Sequence, residues 1–129
     1  MERKRILVVD DEERFAKFVK AALERTGAYE VRTETEAKRA LATALAFKPD
    51  LIFMDVAMPE LDGGDVAAQL SEKPTLKGVP IIFLTGAASS HEVSEGGGVI
   101  GGREFLAKPV SISDLTAAVE RHLGPLTAA

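Results

Sequence analysis

Short apolar runs without charged residues recur along the chain, and turn-forming residues separate them. An unbroken apolar run bounded by turn signals is typical of a strand that is buried on both faces of a parallel sheet. Runs of this kind occupy residues 6–9, 51–54 and 79–84. A short alternating segment at 29–32 and an apolar segment at 105–107 bring the set of predicted strands to five.

Helices are predicted between these strands. Apolar residues return every three or four positions in four segments, residues 15–23, 37–45, 66–70 and 115–123. Glycine or proline follows each segment and ends the predicted helix. The stretch from 87 to 102 has no clear pattern. Because strands and helices alternate, the sequence predicts an α/β fold, a single doubly wound domain whose parallel sheet carries helices on both faces.

Composition narrows the class of protein further. A chain of 129 residues is the size of one domain. Its formal net charge of −4 argues against nucleic-acid binding by this domain. The absence of cysteine excludes disulfides and thiolate chemistry. No apolar run approaches the roughly 20 residues of a membrane span, so we expect no membrane partner and a cytoplasmic location.

Polar side chains follow four of the five predicted strands, at the point where each strand ends. The first strand is followed by Asp10 and Asp11, the third by Asp55, the fourth by Thr85 and the fifth by Lys108. The carboxyl ends of parallel strands lie on one edge of a sheet, where open α/β sheets place their binding sites. The sequence therefore predicts three carboxylates, a hydroxyl and an ammonium in one crevice.

This set of charges calls for a cation. Two unit charges about 4 Å apart interact by about 4 kcal/mol at an effective dielectric constant near 20, so three carboxylates repel one another strongly. Lys108 can neutralise only one of them. Oxygen ligands favour Mg²⁺ or Mn²⁺, and a partly filled coordination shell would be open to phosphate oxygens. A divalent cation and a phosphate-bearing substrate are the expected ligands.

Structural roles are the competing explanation for some of these residues. Asp10 and Asp11 could cap the first helix, since acidic residues are common there. The charged residues 12–14 read as a solvated helix face. Thr85 could begin a turn, and Phe105 could be an ordinary core residue of the last strand. Asp55 has no capping partner, so it is the strongest candidate for a chemical centre.

The same residues carry a resemblance to a known family. In order and spacing they resemble the receiver domains of two-component response regulators, the CheY-like family, over essentially the whole chain. The matching segments are Val9-Asp10-Asp11, Met54-Asp55, Met58-Pro59, Asp62-Gly63, Leu84-Thr85-Gly86 and Phe105-Leu106-Ala107-Lys108-Pro109.

The resemblance implies a fold. It implies a five-stranded parallel sheet in the flavodoxin-like order 2-1-3-4-5 and five helices, in one receiver domain over residues 1–129 with a core at about 4–124. The fourth helix would lie at residues 89–99, where three consecutive glycines begin at Gly96. Each glycine inside a helix costs about 1 kcal/mol relative to alanine. We therefore expect this helix to be short or frayed.

The resemblance also implies a reaction at the strand ends. Asp55 would accept a phosphoryl group from a histidine kinase or a histidine phosphotransfer protein. Mg²⁺, or Mn²⁺ in its place, would be held by Asp10, Asp11, Asp55 and the backbone carbonyl of Ala57. The chain would be a signalling switch with limited autophosphorylation and autodephosphorylation, and not a metabolic enzyme.

Three further positions take roles from the family. Lys108 would bind a phosphoryl oxygen, and the peptide bond between Lys108 and Pro109 would be cis. Thr85 would hydrogen-bond another phosphoryl oxygen and move toward it. Phe105 would be an aromatic switch whose orientation follows Thr85. The output protein or domain is unknown from the sequence, and a homodimer through the last strands and helices is plausible.

Two alternative functions remain open at this point. One is a receiver-like interaction module that works without phosphorylation. The other, less favoured, is a Mg²⁺-dependent phosphatase with an aspartyl nucleophile. Such phosphatases usually carry a second acid two positions after the nucleophile, and this position is Ala57.

Overall fold

Six strands form one sheet in the computed structural model, which describes residues 3–59, 61–86, 98–100 and 103–124. The strands are β1 (Lys4–Val9), β2 (Tyr29–Glu34), β3 (Leu51–Asp55), β4 (Ile81–Thr85), β5 (Gly98–Ile100) and β6 (Arg103–Ala107). They lie in the order β2-β1-β3-β4-β6-β5. All neighbours are parallel except β5 and β6, which are antiparallel. The five parallel strands thus follow the order 2-1-3-4-5, and the predicted fold class is confirmed.

Four α-helices lie in the described part of the chain. They are α1 (Glu13–Glu24), α2 (Ala40–Phe47), α3 (Gly63–Ser71) and α4 (Ile112–Leu123), and a short 3₁₀ turn, Ala37–Arg39, precedes α2. No helix among the described residues has the length and apolar character needed to cross a membrane.

The helix predicted at residues 89–99 meets the described structure only at its end. Residues 87–97 lie outside the described residues, and Gly98 and Val99 belong to β5. Any helix in this segment ends before residue 98, which agrees with the expectation of a short or frayed helix. The glycines disfavour a helix here. The outer edge of β6 offers backbone hydrogen bonds to an extended segment, and β5 takes them.

The central strands are buried on both faces because helices cover each side of the sheet. Ile6 and Val8 of β1 pack in one apolar cluster with residues of α1 and α4. Leu7 and Val9 point to the opposite face, into a second cluster with residues of α2 and α3. This two-sided burial explains the unbroken apolar runs, since alternate residues of a strand face opposite ways.

A charged cluster joins the edge of the sheet to the last helix. Glu104 of β6 pairs with Arg121 of α4, and its second oxygen lies 2.6 Å from Nε2 of His122. Burial raises the pKa of Glu104, but the hydrogen bonds from Arg121 and His122 outweigh burial and leave that pKa below its usual value. The ionised carboxylate therefore stabilises the folded state.

The substitution Glu104→Gln tests this contribution. We expect it to lower the free energy of unfolding by about 1 kcal/mol at neutral pH, because charged hydrogen bonds are lost at a partly exposed position. The lowered pKa means that this contribution is present above the pKa of an unfolded glutamate, 4.5, and is lost as the pH falls through the folded value.

Denaturant unfolding of both proteins at neutral and acid pH is the measurement. Glu30→Gln serves as the control, since Glu30 lies 4.0 Å from Arg5 in a single exposed pair. A difference between Glu104→Gln and the parent that stays constant into the acid range would contradict the assignment.

Candidate functional site

The carboxyl edge of the sheet gathers the buried polar residues of the described structure. Among the described residues, the buried polar ones are Asp10, Asp55 and Thr85, with exposures of 0%, 4% and 6%. Asp11 is exposed beside them. Each of the three aspartates offers an oxygen atom within 4.8 Å of the others. The predicted convergence of three carboxylates therefore exists in the structure.

Backbone hydrogen bonds fix where each strand ends. The N–H of Asp10 donates to the carbonyl of Glu34 at 3.0 Å, so the first strand ends level with its edge neighbour. The N–H of Val56 donates to Leu84 at 3.0 Å, directly after Asp55. The N–H of Lys108 donates to the carbonyl of Thr85 at 2.9 Å. The register sets Asp55 opposite Leu84 and Thr85 opposite Ala107, so Asp55, Thr85 and Lys108 all lie near the carboxyl edge of the sheet, each one step further along its strand.

Lys108 is the cation among these acids. Its ammonium nitrogen lies 2.8 Å from Asp10 Oδ2, 2.9 Å from Glu12 Oε1 and 3.7 Å from Asp55 Oδ1. It also lies 4.7 Å from the centre of the Phe15 ring. Burial lowers the pKa of Lys108. The pairs with Asp10 and Glu12 raise it by more, so the net pKa is above its usual value. Lys108 is therefore charged at neutral pH.

One ammonium does not balance the buried acids. Burial, the hydrogen bond with Asp11 and the charge of Asp10 raise the pKa of Asp55 to about 7, against the opposing effects of Lys108 and the Ala57 N–H. Burial also raises the pKa of Asp10, although Lys108 and the Glu12 N–H oppose it. Two buried carboxyl groups with raised pKa values and an adjacent third carboxylate form a donor set that suits a divalent cation.

The turn after β3 holds Asp55 close to the start of α3. Asp62 caps α3 by accepting a hydrogen bond from the Gly64 N–H at 2.6 Å. The Gly63 N–H donates to the carbonyl of Val56 at 2.9 Å. A Cβ atom on Gly63 would lie 2.1 Å from the carbonyl oxygen of Asp55. Only glycine therefore permits this close approach of α3 to the end of β3.

An aromatic pair joins β4, the strand that ends in Thr85, to its neighbour β6. Phe105 is half-buried, and its ring stacks on that of Phe83 with centroids 5.3 Å apart and an angle of 29°. The two residues are register partners of β4 and β6. The peptide bond between Lys108 and Pro109 is cis.

Comparison with known proteins identifies the family. The sequence model of the response regulator receiver domain matches residues 6–120, so the chain belongs to the receiver domains of two-component response regulators. These domains are signalling switches.

Two curated relatives and one solved structure illustrate the similarity. The chain is 39% identical over 121 residues to the alkaline phosphatase synthesis transcriptional regulatory protein PhoP of Bacillus subtilis, covering 93% of this chain but only 48% of PhoP. It is 28% identical over 123 residues to protein PilG of Pseudomonas aeruginosa, covering 95% of this chain and 90% of PilG. The crystal structure of the chemotaxis protein CheY4 of Vibrio cholerae superposes with a TM-score of 0.80 at 30% identity, covering 95% of this chain and all of CheY4 (100%).

Sequence reasoning did not identify every residue around Asp55. Residues 12–14 were expected to be a solvated helix face, yet the Glu12 side chain pairs with Lys108. Phe15 contacts the same ammonium. Glu12 and Lys108 are 96 positions apart in the chain, and no local sequence pattern predicts a contact between such distant residues. The position of Glu12 directly after two aspartates was the only available signal.

The substitution Gly63→Ala tests the close packing behind Asp55. We expect it to lower the free energy of unfolding by about 3 kcal/mol, because the added methyl group must displace the backbone of β3 at Asp55. Gly64→Ala is the control in the same helix turn, since its Cβ would meet only the Asp62 side chain, at 3.1 Å. We expect Gly64→Ala to stay within about 1 kcal/mol of the parent, because alanine also favours the helix.

Denaturant unfolding of the two variants beside the parent gives the comparison. Equal stability of the two variants would show that the turn relaxes freely and does not hold Asp55 in place.

Proposed function

We propose that this chain is a phosphoacceptor receiver domain in which Asp55 accepts a phosphoryl group. The observation that carries the proposal is the burial of Asp55 at a strand end, beside two further carboxylates and within 3.7 Å of the Lys108 ammonium. Phosphoryl transfer depends chiefly on positioning and on neutralising charge; this site provides the positioning and, through Lys108, part of the neutralising charge. The domain spans residues 1–129, with its core at about 4–124.

Asp55 is the nucleophile in the proposed reaction. One of its carboxylate oxygens attacks the phosphorus atom, and a new O–P bond forms as the bond between phosphorus and the donor breaks. The bonding electron pair leaves with the donor, which for a phosphohistidine is the imidazole ring. Hydrolysis of the acyl phosphate later returns Asp55 to its carboxylate form.

The other side chains bind the transferred group. Lys108 turns from Asp10 and Glu12 toward a phosphoryl oxygen, and the Thr85 hydroxyl donates a hydrogen bond to another. The new group adds about −1.5 to −2 charges, which draws both side chains inward. Phe105, on the strand next to that of Thr85, then changes its orientation, and this change alters the surface of the domain.

The acidic residues suit the cation that the family uses. Asp10, Asp11 and Asp55 would hold Mg²⁺ or Mn²⁺, together with the backbone carbonyl of Ala57. Bound there, the cation supplies the charge neutralisation that the transferring phosphoryl group needs. Burial, with like-charged neighbours, raises the pKa values of Asp10 and Asp55, and a bound cation would favour the ionised form of both groups.

The proposed donor is a sensor histidine kinase or a histidine phosphotransfer protein, which would place the domain in the cytoplasm. The output partner is a separate protein or a further domain, and a homodimer is one form that the output could take. Nucleic acid and membrane are not proposed as ligands of this domain. Its net charge of −4 supports that choice.

Acetyl phosphate provides the direct test. We expect the parent chain to gain the mass of one phosphoryl group when Mg²⁺ is present, and Asp55→Asn to gain none, because the amide is not a nucleophile here. Asp65→Asn is the control, since Asp65 is an exposed acid in the first turn of α3. It should gain phosphoryl as the parent does. Intact-mass spectrometry with and without Mg²⁺ measures the gain.

Other results would favour the two alternative functions. A folded parent chain that binds Mg²⁺ and gains no mass would point to an interaction module independent of phosphate. Steady turnover of a phosphate ester would point to an aspartyl phosphatase. The alanine at position 57, where those phosphatases carry their second acid, argues against that outcome.

A further inference from the structure

Glu12, at the start of α1, contacts the site through its side chain. It occupies the N-cap position of α1, but its side chain makes no capping hydrogen bond. The carboxylate instead accepts a hydrogen bond at 2.9 Å from Lys108. Glutamate is not one of the preferred N-cap residues, so this carboxylate gives up no favourable cap when it pairs with Lys108.

The backbone of Glu12 is fixed at both ends of the residue. Its N–H donates to Asp10 Oδ1 at 2.9 Å. Its carbonyl accepts a hydrogen bond from the N–H of Ala16 at 3.0 Å. The carboxylate therefore projects from a rigid base next to Asp10. Its side chain nevertheless keeps 65% exposure, so the pair with Lys108 can open without unfolding.

The Lys108 ammonium lies closer to Asp10 and Glu12 than to Asp55. An ammonium has three donors. Asp10 and Glu12 lie at 2.8 and 2.9 Å, whereas Asp55 Oδ1 lies at 3.7 Å. The Phe15 ring lies 4.7 Å from the same nitrogen. Lys108 is thus held by Asp10 and Glu12, and a phosphoryl oxygen on Asp55 would compete with these two carboxylates for its ammonium.

We propose that Glu12 is a positioning residue that competes with the phosphoryl group for Lys108 and so slows phosphoryl acceptance. This inference rests on the proposed function of Asp55. A phosphoryl group carries more negative charge than one carboxylate, so it wins the ammonium once it has arrived. Glu12 acts before that point, because it occupies a donor and adds a negative charge beside an incoming anion.

Glu12→Gln is the variant that separates these effects. Glutamine keeps the size of the side chain and removes its charge. Releasing an exposed ion pair is worth up to about 1 kcal/mol, so we expect phosphoryl acceptance from acetyl phosphate to become about twofold to fivefold faster. Glu13→Gln is the matched control, since Glu13 is equally charged, exposed and paired with Lys17 at 3.1 Å. Its rate should equal that of the parent.

Two measurements give independent readouts. The initial rate of mass gain is followed at saturating Mg²⁺, at low and at high salt, and the advantage of Glu12→Gln should shrink with salt. In Mg²⁺-free protein, the ¹⁵N NMR signal of the Lys108 ammonium reports its hydrogen bonding. We expect faster exchange of its protons with water in Glu12→Gln and no change in Glu13→Gln.

The outcomes separate this inference from the function on which it rests. Equal or slower acceptance by Glu12→Gln, with a parent that does gain phosphoryl, would overturn the competition while leaving the acceptor role of Asp55 intact. An equal increase in both variants would show a general effect of net charge and would also overturn it. A parent that gains no phosphoryl would overturn the proposed function and with it the competition, even if the Lys108 signal still responded to Glu12→Gln.

Discussion

The mutual repulsion of three carboxylates at one edge of the sheet is the constraint on which the site depends. Asp10 and Asp55 are buried there, with Asp11 beside them, and burial and like charge raise the pKa values of both buried groups. Lys108 relieves only part of this repulsion. The fold therefore maintains a region short of positive charge, which suits a divalent cation and a transient phosphoryl group.

The fold supplies the rigidity that holds these charges together. Helices on both faces bury the strands that carry the acids, and the strand ends are joined by backbone hydrogen bonds. Gly63 brings the start of α3 against the carbonyl of Asp55, where no larger residue fits. The acidic residues consequently cannot move apart to relieve their repulsion. Stability of the core offsets an unfavourable arrangement at the site.

Much of this could be predicted from the sequence because the signals are local. The apolar runs of the central strands reflect burial on two faces, and a parallel sheet brings their carboxyl ends together, so Asp55 and Lys108 were expected to meet. Glu12 was not assigned, because its contact with Lys108 depends on how two distant segments pack. The edge strand Gly98–Ile100 was missed because three residues, directly after two further glycines, are too short to show an alternating pattern.

The most direct measurement is a crystal structure of the chain with Mg²⁺ and beryllium fluoride, which mimics an acyl phosphate on a carboxylate. The account predicts beryllium fluoride on Asp55, Mg²⁺ held by Asp10, Asp11 and Asp55, and the Lys108 ammonium turned from Glu12 to a fluorine atom. Beryllium fluoride absent from Asp55, or Mg²⁺ bound away from the three aspartates, would contradict it.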